Sequence, residues 1–559
     1  MFQSFRFLSR EVRGMHQAAY LLAAFAFGSQ ILALVRDRLL ASAFGAGHTL
    51  DIYYAAFRTP DFIFATVASL MSLYALLPIL SRLRNEGEET MVAFLRSILL
   101  VFFGAMSVVG MIAYIFAPLL APIVAPGIAL DAAARTDLIL LMRILLLQPI
   151  LLGASNTLAA LTQLRHRFVL YSVSPLLYNL GIIFGAVVLY PEWGLAGLGW
   201  GVVFGAFMHL MVQVPFFFEE KSAPLPALPQ VTKGIREVLS LSIPRTLALS
   251  STQISLLAIT AMASFLAPGS IAVFAFAFNL QAVPLTIIGV SYSVAAFPTL
   301  AHLFAQGKRD EFVAYIEAAL RHIIFWSVPA MVFMIVLRAQ VVRVILGAGA
   351  FDWNATRLTA AALALFIIAL TAQSITLLIA RTYYAAGNTK KPLYYGLANI
   401  IVSILSAGGL ALLFRDNPTF HAFVESLLRV EGVPGTAVLM LTLGFALGAI
   451  AQFAIGYYYF VRDYALAPRQ IMRLSFQSLS ASIIGGAVTY RVLAFSGYIV
   501  EGRTTLGVFV QGFSAGIIGI AVAILILALL KNTELDETMT ALKQRFIRKA
   551  PALEPSNTA

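Results

Sequence analysis

An all-α polytopic membrane protein is the fold class the sequence predicts, with about 14 transmembrane helices arranged as two pseudo-symmetric six-helix lobes plus two C-terminal helices. Three observations predict it. Hydrophobic residues make up 60% of the 559 residues and charged residues only 11%, against about 45–50% and about 25% in soluble domains. Mean hydropathy is +0.88, and the apolar residues run on continuously over helix-spanning lengths, without the alternation of a membrane β-barrel. Similar segments also recur at an offset of 220 residues.

Apolar runs bounded by charged or Gly/Pro-rich breaks place the first six spans at 15–43, 52–80, 91–120, 137–163, 168–190 and 195–218. The next six fall at 236–265, 271–303, 312–337, 357–386, 392–414 and 436–461, and the last two at 470–494 and 505–530. The first run follows Arg6, Arg10 and Arg13, exceeds signal-peptide length and lacks a clear cleavage site, so it is expected to be retained. Basic residues then gather in alternate gaps: Arg82 and Arg84, Arg165 and Arg167, Lys308 and Arg309, Lys390 and Lys391. The turns 44–51, 191–194 and 266–270 hold no Lys or Arg. Positive charge stays inside, so both termini are expected in the cytoplasm. The exceptional outer segment 338–356, with Arg338 and Arg343, is expected at the membrane interface. In the tail, Leu535, Met539, Leu542 and Phe546 fall at helical spacing among charges, which predicts an amphipathic helix with a packing role.

The repeat aligns Tyr74-Ala-Leu-Leu-Pro78 through Gly87 with Val294-Ala-Ala-Phe-Pro298 through Gly307. A second pair of basic turns, around Arg165–Arg167 and Lys390–Pro392, lies at nearly the same offset. Six helices per repeat return the chain to its starting side, so the repeat is parallel, about an axis near the membrane normal. The expected organisation is an N-lobe over 1–218, a cytoplasmic linker over 219–235 and a C-lobe over 236–462. Two extra helices over 470–530 and a cytoplasmic tail over 531–559 complete it. Two lobes around a midplane cavity suit alternating access, and no channel filter motif is present.

Missing chemistry narrows the function. There is no cysteine, so disulfides, thiolate nucleophiles and cysteine-held metals are excluded. The seven histidines form no HExxH or other close cluster, and no metal site is expected. Phe44-Gly-Ala-Gly47 lacks the phosphate-binding loop pattern and sits in an outer turn. No catalytic triad pattern is recognisable, so the chain reads as a transporter and not an enzyme. Its net charge of +12 speaks for membrane topology and not for nucleic acid.

A charge inside a span costs about 2.5–3.5 kcal/mol on insertion scales and needs a reason. The first span carries Arg36, Asp37 and Arg38, of which Arg38 is expected to snorkel outward along its stem. Asp51 opens the second span, and Arg58 and Asp61, three apart, are expected to pair on one face. Arg245 follows Pro244 early in the seventh span. Gln30, Asn156, Asn179, Gln253, Asn279, Gln281 and Gln373 add uncharged polar groups, most of them expected as interhelical hydrogen bonders. The set around Arg36 and Arg245 is net basic, which favours an anionic, phosphate-bearing amphiphile because guanidinium forks match phosphate oxygens.

Read together, several motifs resemble one family. Val35-Arg36-Asp37, Phe44-Gly-Ala-Gly47, Asp51, Ala56-Phe57-Arg58-Thr-Pro60 and Leu77-Pro78-Ile79-Leu80 resemble the opening of the MurJ (MviN) lipid II flippases. Ile243-Pro244-Arg245-Thr, Ala282-Val-Pro284-Leu, Leu346-Gly-Ala-Gly-Ala-Phe351-Asp352 and Ala380-Arg381-Thr-Tyr-Tyr-Ala385 continue it in order. The resemblance implies a two-lobed transporter of the multidrug/oligosaccharidyl-lipid/polysaccharide exporter superfamily. Such a protein moves lipid-linked peptidoglycan precursor from the inner to the outer leaflet of the bacterial cytoplasmic membrane. It further implies cavity roles for Arg36, Asp37, Asp51 and Arg245, with Arg58, Gln30 and Asn279 beside them, and a polyprenyl-tail groove on the two extra helices. Asp37, Asp51 and Asp61 are candidates for cation binding or charge balance. No organic cofactor is expected; a coupling Na+ or H+, or the membrane potential, would drive transport. The expected partners are a polyprenyl-pyrophosphate-linked glycan, membrane lipids and cell-wall synthesis proteins. The chain departs from the family pattern at Gln30, at Phe64-Ala65 and at Ser69-Leu70, where the family tends to carry charge. Another polyprenyl-linked oligosaccharide, or an ion-coupled export activity of the same superfamily, is therefore the alternative substrate reading. A transport-inactive scaffold for cell-wall enzymes is the alternative of another class.

Overall fold

The computed structural model describes residues 15–67, 73–165, 167–218, 250–465, 468–499 and 504–547, with 236, 243 and 246 singly. Arg245, the whole of the expected linker and the last twelve residues lie outside the described residues. Every regular element among the described residues is helical. Nine of these helices are long and apolar enough to cross a membrane, and a tenth candidate is a bent pair. The full count of fourteen expected from the sequence is not reached among the described residues.

The first span is α1 (Met15–Phe44). The second, expected as one rod over 52–80, is instead broken into α2 (His48–Ala56), α3 (Arg58–Thr66) and α4 (Leu73–Glu86). The first break has a local cause. Pro60 has no N–H to donate to Ala56, the last residue of α2, so the hydrogen-bond ladder stops there. It restarts with Asp61 N–H donating to the Phe57 carbonyl at 2.9 Å. The same arithmetic applies to the fourth span. Pro149 cannot bond Leu145, and the rod divides into α6 (Ala132–Leu145) and α7 (Leu147–Leu164). Between them in sequence, α5 (Glu88–Val124) is one 37-residue helix. Leu100, Met111, Leu119 and Ile123 on α5 are exposed, which is tolerable only in hydrocarbon.

Next come α8 (Phe168–Phe184), continued by a π-helical turn Gly185–Leu189, and α9 (Leu195–Met211). After the helical residues 250–263, α10 (Ser270–Pro284) runs through a π-helical stretch Leu285–Val290 into α11 (Ser291–Ala305). Then follow α12 (Arg309–Val336), the short α13 (Arg338–Leu346), and α14 (Trp353–Ile367) with α15 (Leu370–Ala385), bent by 45°. The chain continues with α16 (Lys390–Asp416), α17 (Pro418–Leu428) and α18 (Val438–Tyr464). It ends with α19 (Pro468–Ile499), α20 (Thr505–Leu529) and α21 (Thr533–Ile547).

Local structure repeats at the offset found in the sequence. Gly87 and Gly307 both have positive φ, and each precedes a helix with two acidic residues in its first turn. Asp131 and Asp352, 221 residues apart, both accept from backbone N–H groups at the start of a helical rod that divides near its middle. Small residues then let backbones approach in both halves. A Cβ on Gly181 or Gly185 of the α8 rod would strike the backbone of Gly205 or Gly201 on α9. In α16, Ala407 and Ser403 stand 222 residues after Gly185 and Gly181, and they receive Gly444 and Gly448 of α18 in the same way. Without water to drive apolar surfaces together, such close packing is what holds membrane helices to each other.

Compactness divides the chain into two units. The first contains Met1–Val283, Ile345–Phe366 and Thr389–Ile455. One part of its core gathers Leu76, Leu95, Phe102 and Leu161; an aromatic cluster joins Phe274, Phe278, Phe366 and Phe445 at centroid distances of 5.0–6.4 Å. The second unit contains Pro284–Val344, Ile367–Asn388 and Gly456–Ala559. Within it the amphipathic tail helix α21 packs as its sequence pattern predicts. Leu535 is buried with Phe325, Ala481 and Leu527, and Glu534 pairs with Arg321 at 3.1 Å.

Candidate substrate cavity

Within the first unit, α1, α2, α3, α7, α8, α10 and the helix over 250–263 enclose a cavity of about 270 Å³. Among the described residues, charged side chains reach it from α1 and α3, and the two arginines owe their orientation to different partners. Arg36 donates from Nε and Nη2 to Asp37 Oδ1 at 2.9 and 2.7 Å, and from Nη1 to Asn179 Oδ1 at 3.0 Å. Asn279 Nδ2 donates to the other oxygen of Asp37 at 3.0 Å. Arg36, Asp37, Asn179 and Asn279 therefore form one hydrogen-bonded cluster spanning α1, α8 and α10. Asp37 is only 3% exposed, and donors occupy both of its carboxylate oxygens, as burial of a polar group requires.

Arg58 also lines the cavity, but its Nε donates to Thr260 Oγ1 at 2.9 Å rather than to Asp61 as expected. The break at Phe57 starts a new helix at Arg58 and frees it from the register of α2. Asp61 lines the cavity as well. The charged side chains at and beside the cavity thus number two arginines, Arg36 and Arg58, and two aspartates, Asp37 and Asp61. Arg36, Arg58 and Asp61 line the cavity itself, and Arg245, which the expected basic set includes, lies outside the described residues.

Arg38 does not snorkel to the surface. Its Nη1 donates to the carbonyl of Ile345 near the C-terminal end of α13 at 3.2 Å, where the helix dipole welcomes a cation. Asp51 lies apart from the cavity and acts on α10. Its carboxylate, 4% exposed, accepts from the N–H groups of Gly269 at 2.5 Å and Ala272 at 2.8 Å. It thereby caps the positive N-terminus of that helix. Backbone contacts seal the same end: Ala350 N–H bonds the Ser42 carbonyl at 2.8 Å, and Gly127 N–H bonds Ser264 Oγ at 2.9 Å. Gly269, with φ of 92°, sits so close to the Ala46 carbonyl that a Cβ would collide with it.

Gln30 is half-buried on α1 and is not part of the cavity lining. Six residues before Arg36, it is turned roughly 240° round the helix and faces elsewhere. Four polar lining residues had no counterpart among the sequence candidates: Tyr53, Tyr54, Tyr178 and Gln148. Among 20 tyrosines and 42 phenylalanines no local pattern singles them out. Elsewhere in the unit, Ser255 donates to Asn399 at 3.0 Å and Asn399 to Gln452 at 2.9 Å, the interhelical bonding expected of buried amides.

A family model described as lipid II flippase MurJ matches residues 40–509. A lipid II flippase MurJ of Burkholderia cenocepacia is 25% identical over 399 residues, covering 70% of this chain and 77% of that protein. A probable lipid II flippase MurJ of Rhizobium tropici is 27% identical over 497 residues, covering 86% and 87%. In fold, the chain resembles a lipid II flippase MurJ solved in an inward closed conformation, with a TM-score of 0.68 at 20% identity, covering 91% of this chain and 98% of that one. It also resembles an inward-facing multidrug resistance transporter of the MATE family and MOP superfamily, with a TM-score of 0.63 at 13% identity, covering 78% and 94%.

Proposed function

The chain belongs to the lipid II flippase MurJ family, and from that premise we propose that it moves lipid II from the inner to the outer leaflet of a bacterial cytoplasmic membrane by alternating access. The observation that carries the reading at the level of the site is the Arg36–Asp37–Asn179–Asn279 cluster, of which Arg36 and Asn279 line a cavity inside an otherwise apolar helical unit. Polar groups at that depth are costly and call for a polar cargo. The head group enters the cavity while the polyprenyl tail stays in lipid, along a groove on α19 and α20. The seam around Asp51, Gly269 and Ala350 is the outer gate, with both termini cytoplasmic. In this reading the repeat supplies two lobes, 1–218 and 236–462, that rock against each other. The driving force is the membrane potential or a coupling Na+ or H+. Downstream cell-wall synthesis proteins take the flipped product.

The test uses bacteria depleted of their own flippase and expressing this chain. An added enzyme that cleaves only outer-leaflet lipid II reports transport. Wild type restores cleavage and Arg36→Ala does not. If a stably inserted wild type restores none, lipid II is the wrong cargo and another polyprenyl-linked oligosaccharide takes its place. If growth returns with Arg36→Ala as well as with wild type, the chain acts as a scaffold. Collapsing the membrane potential and the Na+ and H+ gradients separately, with selective ionophores, identifies the coupling.

A further inference from the structure

Two carbonyls of α5 lack the helical donor they would ordinarily have. Pro118 and Pro122 lie inside that helix and have no N–H for the carbonyls of Tyr114 and Pro118, four residues earlier. The neighbouring helix α6 answers both. Arg143 Nε donates to the Tyr114 carbonyl at 3.2 Å, and Arg135 Nη2 donates to the Pro118 carbonyl at 3.1 Å. The Arg143 guanidinium also lies over the Tyr114 ring, 4.7 Å from its centroid. These contacts satisfy the backbone and leave the arginines with charge and donors to spare. A guanidinium carries five N–H groups, and among the described residues each of the two makes one hydrogen bond and no ion pair.

The wall around them faces lipid. Leu140 and Leu147 are exposed on the same face of α6 as Arg143, and Ile115 and Leu119 of α5 are exposed beside them. Exposed apolar residues run along α5 from Leu100 to Ile123, about 35 Å, which matches the bilayer core. Tyr114 stands nine residues, about 13 Å, inside the Ile123 end. A cation at that depth is costly and calls for a counter-charge. The nearby carboxylates do not supply it. Asp131 caps α6 through the Ala133 N–H, and Asp137 is turned about 160° from Arg135 and about 120° from Arg143 round the helix. Carbonyls point toward the C-terminal end of their helix, so both guanidiniums are drawn toward the α5–α6 turn and the leaflet on that side. The two carbonyls are about 6 Å apart along the axis, so one phosphate can lie between the two cations, and guanidinium forks suit its oxygens.

We infer that Arg135 and Arg143 form a binding site, on the lipid-facing wall of α5 and α6, for the phosphate of an anionic glycerophospholipid drawn below the ordinary headgroup level. The site is separate from the transport cavity and does not depend on the cargo; its leaflet is the outer one in the orientation proposed above. A zwitterionic lipid fits less well, because no carboxylate stands between the cations to take its ammonium group.

The experiment places the full-length protein in nanodiscs of phosphatidylcholine with a rising fraction of phosphatidylglycerol. Native mass spectrometry counts the lipids that stay bound on release. Arg143→Leu alone would leave the Tyr114 carbonyl without a donor, so it is combined with Pro118→Ala, whose N–H restores the helical bond. Arg135→Leu is combined with Pro122→Ala for the same reason. Wild type and the two single proline variants should retain phosphatidylglycerol in preference to phosphatidylcholine. The double variants should need about tenfold more phosphatidylglycerol for the same occupancy, the loss of a charge-assisted hydrogen bond. Arg415→Gln, whose exposed guanidinium pairs with Asp416 at 2.7 Å, should change nothing. If the double variants do not insert stably, Arg135→Gln at an exposed position carries the test with the same expected direction. Equal retention of the two lipids by wild type, or equal phosphatidylglycerol retention by wild type and the arginine variants, overturns the inference and leaves the arginines serving only the two carbonyls. Displacement of the lipid by millimolar inorganic phosphate overturns it too, in favour of a soluble anion.

Discussion

Asp51→Ala is expected to unlatch the outer gate. In the structure the Asp51 carboxylate holds two backbone N–H groups, of Gly269 at 2.5 Å and Ala272 at 2.8 Å, and is 4% exposed. A hydrogen bond to a charged group is worth about 1.5–3 kcal/mol, so removing the acceptor costs the sealed state roughly 3–6 kcal/mol. An open gate admits water to both amides, and the cost therefore falls on the closed state alone. At about 1.4 kcal/mol per decade, the closed-to-open ratio should drop at least a hundredfold. Asp51→Asn keeps one neutral acceptor, a cap nearly as good as Asp in solvent-exposed helices. It should lose the charge assistance and one bond, a drop of roughly ten- to a hundredfold. The chain has no cysteine, which makes the assay clean. Ala275→Cys places a single thiol on the cavity wall, where the residue is 5% exposed. A membrane-impermeant maleimide added outside should label it slowly in the wild-type background, faster with Asp51→Asn and fastest with Asp51→Ala. Equal labelling in all three backgrounds, with unfolding temperatures unchanged, would refute the latch.

Three further outcomes are expected. Arg36→Lys keeps the charge but loses the fork that reaches Asp37 and Asn179 together. Lipid II cleavage in the depletion assay should fall about tenfold or more, and near-normal transport would remove Arg36 from the site. Gly201→Leu drives a side chain into the Gly185 backbone and should cost about 1–3 kcal/mol or more, read as a lower unfolding temperature. Gly104→Ala meets open space and should be neutral or stabilising by up to about 1 kcal/mol; the two variants behaving alike would break the packing argument. Glu534→Gln removes the ion pair of α21 with Arg321 at 3.1 Å. The Arg321 side chain is 26% exposed, so the loss lies between the exposed and buried limits, about 1–3 kcal/mol. Hydrogen exchange over 533–547 should speed up roughly ten- to a hundredfold, and unchanged exchange would mean that Leu535 alone holds the helix.

Hydropathy located the long helices because burial in lipid leaves a residue-by-residue mark; α5, α12, α16 and α20 differ from their expected bounds by a few residues. The breaks at Phe57 and Leu146 were legible too, three residues before Pro60 and Pro149, but a window that averages twenty residues passes over them. Helix α17 was missed for a different reason. Asn417 and Pro418 form an N-cap and first-turn signal, and Asn417 Oδ1 does accept from Phe420 N–H at 3.0 Å. The eleven residues are simply too short to register as a span. The site was legible in its residue types and not in its pairings. Arg36 and Asp37, adjacent on a helix, point about 100° apart, yet the long guanidinium stem folds back to its neighbour. Asp51 finds its partners 218 and 221 residues away, a separation no local pattern encodes.

Two of the three aspartates read from the sequence as candidates for cation binding or charge balance, Asp37 and Asp51, act on one helix. Asp51 holds the N–H groups at the start of α10, and Asp37 holds the Asn279 amide seven residues after Ala272. Seven residues are almost two full turns, so the attachment points lie nearly one above the other, roughly 10 Å apart along the axis. Both carboxylates come from the segment 37–51, which runs from α1 into α2. Movement of α10 away from that segment must break both attachments, and each one keeps the other in register. This constrains how a cation could drive transport. Na+ or a proton on either carboxylate would draw on the same oxygens that hold α10 and weaken those bonds. Cation binding at Asp37 would also strip Arg36 of its counter-charge. The coupling energy would then enter through the latch itself, and a carboxamide at Asp51, which cannot take a proton at neutral pH, would separate gate opening from the ion gradient.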